Sequence, residues 1–460
     1  MKLKDIRDSI LLMNENLHDA ETSISCKKWV TKNVDSLITN DSREELQDGL
    51  HFVWIGILNE MVLNNIKVWR VCNPRESITL WVDNRFTLSS FLKDVSKRDE
   101  CIDSILVKQD QVYSIISSSI QAGMTYDHAF RSVLTSNGID RSVIDNKLLS
   151  HCNIINEVSK YADIIDVSER QFILDSMKVS PLYNQEILLR TNIAAASDIL
   201  RLCIIFHFGG TYIDCDTLPS FDYLFQSEDL VEFEECLMSS HMELLKSELV
   251  LRTHFGFYIG DEIRNKNIKL VEDFIKTNHE HEYENLMSVM QSSNIPLNGR
   301  GKHKLYKNQI LISTKPQGKG IYFNNIIACN KGAKIIKIIL AVIKKRYRLL
   351  QHYGFDKTEI ALDCFQNEKN LDYELARLAG YRVDGLCCSE TNTTVSLTGP
   401  LAIIETIIGL YIHLLDLPPG FDIEALSNLM QFSKYGISYD EQYLYTYDHF
   451  FSSWMFPVIS

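Results

Sequence analysis

The chain has 460 residues, of which 45% are hydrophobic and 10% aromatic, and its net charge is −13. This composition excludes a disordered chain and allows a core large enough for more than one lobe. The acidic balance argues against a nucleic-acid partner, because phosphate contacts need a surplus of Lys and Arg. Eleven Cys without zinc-type spacing predict reduced thiols, as in a cytosolic protein. We find no secretory signal and expect no transmembrane helix, since nothing resembles an 18-residue apolar span.

Residues 1–48 alternate apolar and charged positions at helical spacing, which predicts a small N-terminal helical appendage. Asn40-Asp41-Ser42 is expected to be a turn and cap before a further helix that begins at Arg43-Glu44-Glu45. The appendage has no strongly basic or aromatic face, so a plain structural role is the simpler interpretation.

The next stretch has the pattern of an α/β domain. His51–Gly56 (HFVWIG) predicts a buried parallel strand that ends in glycine. A helix is expected over 61–71 and a second strand over Ile78–Val82, with Asp83-Asn84-Arg85 at its end, where such sheets usually contact ligands. Residues 88–180 are mainly helical in pattern and lack a strong strand signal, which predicts a helical insertion.

Residues 194–221 (AAASDILRLCIIFHFGGTYIDCDTLPSF) carry the strongest local signals. A helical pattern contains Asp198 and Arg201 and stops at Gly209-Gly210. A short strand then delivers Asp214 and Asp216 to its end. Two such carboxylates suit Mg²⁺ or Mn²⁺. Asp198 and Arg201 form either an ion pair that faces a ligand or a surface pair on the helix.

The C-terminal half predicts helices over 262–292 and a loop region over 296–320. Residues 320–328 predict a strand that carries two amides, Asn324 and Asn325, into a site. Lys334–Leu350 is basic and amphipathic; we interpret it as a core helix with solvated lysines rather than a membrane-surface helix.

The last segments include a predicted strand that ends in a turn over 394–400 and an apolar helix over 401–415. In the first of these, Thr398 and Gly399 either approach a ligand or belong to a plain turn.

The strings AAASDILR…GGTYIDCDTLP and HFVWIG together resemble the donor-binding core of GT-A glycosyltransferases with a DxD motif. The similarity is greatest to the glucosyltransferase domains of large clostridial cytotoxins and related bacterial effector glycosyltransferases. The resemblance implies an α/β fold, with a Rossmann-like nucleotide-sugar-binding core over 49–460. It also implies the helical insertion at 88–180 and a C-terminal lid at 440–460.

The resemblance further implies residue roles. Trp54 stacks on uracil, and Asp214 and Asp216 hold Mn²⁺ or Mg²⁺ against the donor diphosphate. A diphosphate is poorly tolerated beside carboxylates unless a metal lies between them. The other implied contacts to the donor or the metal are Asp198, Arg201, Tyr212, Asn324 or Asn325, Ser452 and Trp454. The sequence departs from the family at His449, beside Asp448, because the family has a metal-binding Glu there; imidazole can also ligate Mn²⁺.

By resemblance, the expected activity is transfer of glucose or N-acetylglucosamine from a UDP-sugar to a hydroxyl of a host protein, with retention. The implied acceptors are small GTPases. The implied setting is the host cytosol, reached through a dedicated secretion system, and otherwise the bacterial cytoplasm. Relatives settle on membranes through N-terminal helices, so membrane-surface association of residues 1–48 is kept as an alternative.

Three other functions remain open from the sequence. The enzyme could build a bacterial surface glycan, or the chain could bind UDP without turnover. The run Asp214-Cys215-Asp216-Thr217 also matches the DxDxT signature of haloacid-dehalogenase-type phosphatases, in which the first Asp is the nucleophile. Gly260-Asp261-x-x-x-Asn265 resembles a later motif of that family.

Overall fold

A computed structural model provides the fold. It describes residues 11–12, 20–37, 43–96, 102–219, 221–225, 239–257, 262–291, 297, 303–314, 322–361, 373–384, 393–432, 436–441 and 444–446. The α-helices in these ranges are α1 (Ala20–Leu37), α2 (Glu60–Cys72), α3 (Ser90–Ser96), α4 (Ile102–Gln121), α5 (Tyr126–Ser136), α6 (Arg141–Val158), α7 (Phe172–Asp175), α8 (Ser180–Leu188), α9 (Ile193–Phe208), α10 (Ser239–Val250), α11 (Glu262–Asn278), α12 (Glu280–Gln291), α13 (Lys334–Tyr353), α14 (Tyr373–Ala379), α15 (Thr393–Leu397), α16 (Pro400–Leu415) and α17 (Ile423–Phe432). The strands are β1 (Glu44–Glu45), β2 (Leu50–Trp54), β3 (Ile78–Val82), β4 (Asp163–Asp166), β5 (Gly210–Ile213), β6 (Thr217–Pro219), β7 (Lys304–Leu305), β8 (Ile310–Thr314), β9 (Tyr322–Cys329), β10 (Ile437–Glu441) and β11 (Leu444–Thr446).

The central sheet has seven strands in the order β10-β8-β9-β5-β2-β3-β4. Strand β9 is antiparallel to both of its neighbours, and every other neighbouring pair is parallel. The expected α/β class with a Rossmann-like core is therefore confirmed, as a mixed sheet. From β2 the chain proceeds outward to β3 and β4 and then returns to β5 on the other side. The order reverses between β2 and β5, and α/β sheets bind ligands at such a switch point.

Helices cover the sheet with apolar faces. α9 is buried along most of its length, and α13 packs against it. The α13 face is formed by Ile335, Ile336, Ile339, Leu340 and Ile343, all nearly inaccessible to solvent. The interpretation of α13 as a core helix is confirmed. Its lysines lie on the outer side, as expected for a long amphipathic helix.

The described part of the N-terminal segment packs on the rest of the chain. Helix α1 buries Cys26, Val30 and Val34 on one face. The Trp29 indole N–H donates to the Leu415 carbonyl at the end of α16, over 3.0 Å. This face of α1 is therefore occupied by contacts within the chain.

Strands occur where none was expected, among them β4 and β8. β4 lies inside the predicted helical insertion and pairs with β3 at the sheet edge. It is short and bounded by acids (DIID), so its pattern is too weak to stand out. β8 (ILIST) lies inside the predicted loop at 296–320 and is fully buried. The Gly, Lys and Pro residues around it are typical of loops, so the strand was not predicted.

Two further local predictions are wrong. Glu44–Glu45 forms a short strand with Lys304–Leu305 instead of starting a helix. Thr393–Leu397 is helical although its β-branched residues favour a strand. Its first turn is held by Asp384, which accepts hydrogen bonds from the backbone N–H and the hydroxyl of Thr394. A residue distant in sequence thus overrides the local preference.

One stretch among the described residues, Thr393–Leu415, has the length and composition of a membrane span. The expectation that nothing resembles an 18-residue apolar span is therefore wrong. The stretch comprises α15 and α16, and 56% of its most apolar window is buried inside the protein. Core helices satisfy the same criterion, so the finding is weak evidence for a membrane span.

Candidate active site

A cavity of about 580 Å³ lies at the switch point, at the C-terminal ends of β2 and β5. Its volume is in the range of small-molecule sites. Most residues that the sequence selected line it: Trp54, Asp198, Arg201, Tyr212, Asp214, Asp216 and Asn324. The structure thus brings together residues from two strand ends, one helix and the antiparallel strand β9.

The local sequence explains how α9 and β5 meet at this point. The Asn192 side chain caps α9 by accepting a hydrogen bond from the Ala195 N–H. The helix ends at Gly209, whose φ is 72°, and Gly210 follows with φ 82°. A Cβ on Gly210 would lie 2.7 Å from the Gly49 carbonyl oxygen. Only glycine therefore allows the chain to reverse tightly from α9 into β5.

Arg201 is the centre of the polar contacts in the cavity. Its Nη2 lies 2.9 Å from Asp198 Oδ1, and its Nη1 lies 3.1 Å from Asp214 Oδ1. The same Nη1 donates to the Asn324 carbonyl over 2.7 Å. The guanidinium also lies over the Tyr212 ring, 4.5 Å from its centroid. Since the side chain of Arg201 is only 6% exposed, the surface-pair interpretation is wrong.

Burial raises the pKa of the Asp198 carboxyl to about 6, although Arg201 and the hydrogen bond from Thr398 oppose the shift. Burial also disfavours the charge on Arg201, but Asp214 and Tyr212 outweigh it and leave its pKa above the usual value. Burial raises the pKa of Tyr212 well above its ordinary value. Arg201 is therefore charged at neutral pH, and Tyr212 remains a hydrogen-bond donor.

The two DxD carboxylates differ in their surroundings. The side chain of Asp214 is 27% exposed; its Oδ1 accepts a hydrogen bond from the Tyr212 hydroxyl, at 2.5 Å, and forms an ion pair with Arg201. Asp216 is half-buried and lines the same cavity. Carboxylate oxygens are the donors that Mg²⁺ and Mn²⁺ prefer, so the pair fits such an ion chemically.

Within the part of the chain that the structure describes, no group of three or more His, Cys, Asp or Glu side chains could hold a metal ion. The further ligands expected from the sequence, His449 and Ser452, lie outside the described residues, as do Asp448 and Trp454.

The two amides of β9 face different surroundings. Asn324 lines the cavity, and its Nδ2 donates to Asp198 Oδ1 over 2.8 Å. Asn325 is buried and does not line the cavity; its Oδ1 accepts from the Ser313 hydroxyl and its Nδ2 donates to Thr217. Of the two predicted contacts, only Asn324 is at the cavity surface. Alternate side chains of a strand point to opposite faces, which accounts for the difference.

Trp54 is half-buried at the end of β2 and lines the cavity. Its indole N–H donates to the Ile57 carbonyl over 3.0 Å, which fixes the orientation of the ring. Its stacking on a base stays a prediction.

Thr398 and Gly399 follow a helix and not the predicted strand. The Thr398 hydroxyl nevertheless donates to Asp198 Oδ2 over 2.9 Å. Asp198 is thus held on one oxygen by Arg201 and Asn324 and on the other by Thr398. The segment does reach the site, through Asp198.

A buried ionic cluster at the cavity was not predicted from the sequence. Arg190 lines the cavity and pairs with Glu186, at 2.6 Å, and with Asp384, at 3.3 Å. The Glu-x-x-x-Arg spacing of the first pair is visible in the sequence, because residues four apart come together across one helical turn; Glu186 lies in α8 and Arg190 lies two residues beyond its end. Asp384 follows about 190 positions later, and no local pattern indicates it.

The tail of the chain is attached next to the DxD motif. Strand β11 pairs antiparallel with β6, and Thr446 lies opposite Thr217. Asp216 directly precedes β6, so Thr446, the last residue that the structure describes, pairs with the residue next to Asp216.

Comparison with known proteins identifies a family. A family model described as the TcdA/TcdB catalytic glycosyltransferase domain matches residues 87–363, more than half of the chain. Cytotoxin-L of Paraclostridium sordellii is 24% identical over 452 residues, covering 87% of this chain and 18% of that protein. Toxin B of Clostridioides difficile is 24% identical over 446 residues, with the same shares. The chain thus spans about a fifth of the length of these relatives.

Two crystal structures share the fold. The catalytic domain of alpha-toxin from Clostridium novyi matches with a TM-score of 0.67 and 18% identity, over 93% of this chain and 86% of that domain. The UDP-bound glycosyltransferase domain from the YGT toxin matches with a TM-score of 0.58 and 18% identity, over 81% and 79% of the two chains. From the family match and the shared fold we conclude that the chain belongs to the TcdA/TcdB catalytic glycosyltransferase domain family.

Proposed function

We propose that this glycosyltransferase moves glucose or N-acetylglucosamine from a UDP-sugar to a hydroxyl of a host protein, with Mn²⁺ or Mg²⁺ as cofactor. The observation that carries the proposal is the Arg201 cluster, in which one buried guanidinium joins Asp198, Asp214 and the Asn324 carbonyl at a cavity of suitable volume. The UDP-bound domain of the YGT toxin, which has a similar fold, supports a uridine diphosphate donor.

Different residues of the cavity would bind different parts of such a donor. Trp54 offers an aromatic face to the uracil. Asp198 and the amide of Asn324 offer an acceptor and a donor to sugar or ribose hydroxyls. Arg201 keeps its positive charge where the diphosphate would lie, and its contacts to Asp198 and Asp214 orient it in advance.

Asp214 and Asp216 would hold the metal ion, together with Ser452 and His449 from the tail. Bound there, the ion would act as a Lewis acid that stabilises the departing nucleoside diphosphate. Arg201 already contacts Asp214 Oδ1, so the remaining carboxylate oxygens are the donors that we assign to the ion.

The acceptor and the setting rest on family analogy. Relatives that bear the names Cytotoxin-L and Toxin B support a toxin. Its action inside a host cell, after delivery by a dedicated secretion system, is part of the proposal. A small GTPase is the acceptor that we propose, and retention of the anomeric configuration is the proposed outcome.

Two alternatives lead to different products. The phosphatase hypothesis is disfavoured by the family match, and it predicts covalent phosphate on Asp214. A surface-glycan transferase remains the second candidate within the same family of reactions. It predicts transfer to a saccharide and no labelling of host protein.

The proposal is tested by following UDP release from several UDP-sugars with and without Mn²⁺. We expect slow, metal-dependent hydrolysis of one sugar without an acceptor, and loss of this activity in Asp214→Asn and in Asp216→Asn. The matched control is Asp163→Asn, at an exposed position at the start of β4. Wild-type hydrolysis by the double variant would contradict the metal-binding role of the DxD motif.

A further inference from the structure

Two buried side chains of α2 contact the DxD loop, although neither lines the cavity. Asn65 is 1% exposed and Trp69 is fully buried. They are four residues apart, so they lie on the same face of the helix, one turn from each other. That face is turned toward the segment 214–219.

Each of these side chains donates a hydrogen bond to a backbone carbonyl of the loop. Asn65 Nδ2 donates to the Cys215 carbonyl over 2.8 Å, and Trp69 Nε1 donates to the Thr217 carbonyl over 2.8 Å. These two carbonyls lie on either side of Asp216 in the chain. α2 therefore holds the backbone on both sides of the second DxD carboxylate.

The rest of the loop is anchored at its two ends. The Asp214 N–H donates to the Asn325 carbonyl over 2.8 Å, and the Thr217 N–H donates to the Asp214 carbonyl over 3.0 Å. The Cys215 thiol donates to the Val53 carbonyl. Residues 214–217 thus form a turn, and the two carbonyl contacts from α2 fix the planes of its peptides.

The contacts of Asn65 indicate that its N–H group is what the loop requires. Its buried Oδ1 has no hydrogen-bond partner among the described residues. A leucine of similar volume would fill the position without burying that oxygen. The side chain therefore carries an unfavourable group in order to supply a donor to the Cys215 carbonyl.

We propose that Asn65 and Trp69 are positioning residues that orient Asp216 toward the metal ion. The inference rests on the proposed function, because it requires Asp216 to be a metal ligand. Without either donor a buried carbonyl loses its partner, and rotation of its peptide toward the cavity restores hydration. The same rotation turns the Asp216 carboxylate away from its ligating position.

The test uses Asn65→Leu and Trp69→Phe, each of which removes a donor and keeps most of the side-chain volume. The matched controls are Asn73→Leu and Trp29→Phe. Asn73 donates to the backbone carbonyl of Trp69, within α2, and Trp29 donates to the Leu415 carbonyl, so the side-chain donors of both controls are directed away from the loop. Three quantities are measured: Mn²⁺ affinity in the presence of UDP, by electron paramagnetic resonance; metal-free UDP affinity, by calorimetry; and the thermal midpoint.

We expect the two loop variants to bind Mn²⁺ about 10- to 100-fold more weakly, as is usual when a side chain that orients a metal ligand is removed. Their metal-free UDP affinity should stay within about twofold of wild type. The controls should keep the wild-type Mn²⁺ affinity even where their thermal midpoint falls.

Wild-type Mn²⁺ affinity in a folded Asn65→Leu or Trp69→Phe protein would overturn the role of that residue. If Asn65→Leu does not fold, the result for Trp69→Phe tests the proposal, since that variant keeps an aromatic ring in the core and is expected to fold. Failure of the wild-type protein to bind Mn²⁺ with UDP would instead overturn the proposed function, and the positioning role with it.

Discussion

At the scale of single residues, the buried Asp198 makes stability depend on pH. Its folded-state pKa, about 6, is above the ordinary value of 3.8. Between these values the folded state binds more protons than the unfolded state, so stability falls as pH rises through that window. We expect Asp198→Asn to gain stability relative to wild type from about pH 4 to pH 6, by up to about 3 kcal/mol. Above pH 7 the difference should stay constant.

Urea unfolding of both proteins at several pH values measures this difference. Asp163→Asn serves as the control, because Asp163 is exposed. A difference between Asp198→Asn and wild type that is the same at pH 4 and pH 7 would contradict the raised pKa.

Trp54 gives a second residue-scale prediction. If its ring stacks on uracil, Trp54→Ala should weaken UDP binding by about 1–3 kcal/mol, roughly 5- to 150-fold. Trp54→Phe should recover part of the loss, because a smaller ring still stacks. Calorimetry with UDP gives the affinities. An unchanged affinity in a folded Trp54→Ala protein would make this Trp a packing residue only.

Some site residues could be predicted from sequence and others could not. Asp198, Arg201 and Asp214 lie within one short string, so their proximity follows from a helix, a glycine turn and a strand. The partners that hold Asp198 come from far along the chain: Asn324 is 126 positions away and Thr398 is 200. Such long-range contacts depend on the tertiary fold, which no local pattern encodes.

At the scale of elements, the predicted strands at 51–56 and 78–82 and the helices at 61–71 and 334–350 are confirmed within a few residues. Their apolar periodicity is strong and their ends are marked. The edge strand β4 was missed because a partly exposed strand needs no apolar run, and the buried strand β8 was missed because it lies in a stretch rich in Gly, Lys and Pro.

The pairing of β11 with β6 leads to a prediction about the tail. Thr446 lies opposite Thr217, the residue next to Asp216. Ser452 and Trp454 come six and eight residues after Thr446 in the sequence. If they close over the donor, water is excluded and transfer is favoured over hydrolysis. Truncation after Tyr447 should therefore abolish transfer while much of the uridine binding remains.

The measurement compares the rate of transfer with metal-free UDP affinity in the truncated protein and in His449→Ala. If His449 ligates the ion, His449→Ala should raise the Mn²⁺ concentration required for half-maximal activity. If the required Mn²⁺ concentration is unchanged, His449 is not a ligand, and Asp448 or water takes the position of the metal-binding Glu of the family. Normal transfer by the truncated protein would contradict the lid.

At the scale of the whole molecule, the site depends on the antiparallel strand β9. All other strands of the sheet point the same way, and the carboxyl ends of β2 and β5 line the cavity. β9 runs in the opposite direction, so its N-terminal end lies at the cavity. There Asn324 contacts Asp198 and Arg201. The sequence predicted the strand and its two amides but not its direction, because side-chain alternation is the same in both directions.

The attachment of β11 beside the DxD loop also determines how strong a tail ligand has to be. Ser452 follows Thr446 by six residues, so it stays within about 21 Å of that point even when the chain is fully extended. A group tethered over so short a span has an effective concentration in the millimolar range. A hydroxyl, which is a weak ligand on its own, would then suffice for the ion. A free peptide of the tail sequence would have to be supplied at millimolar concentration to replace it.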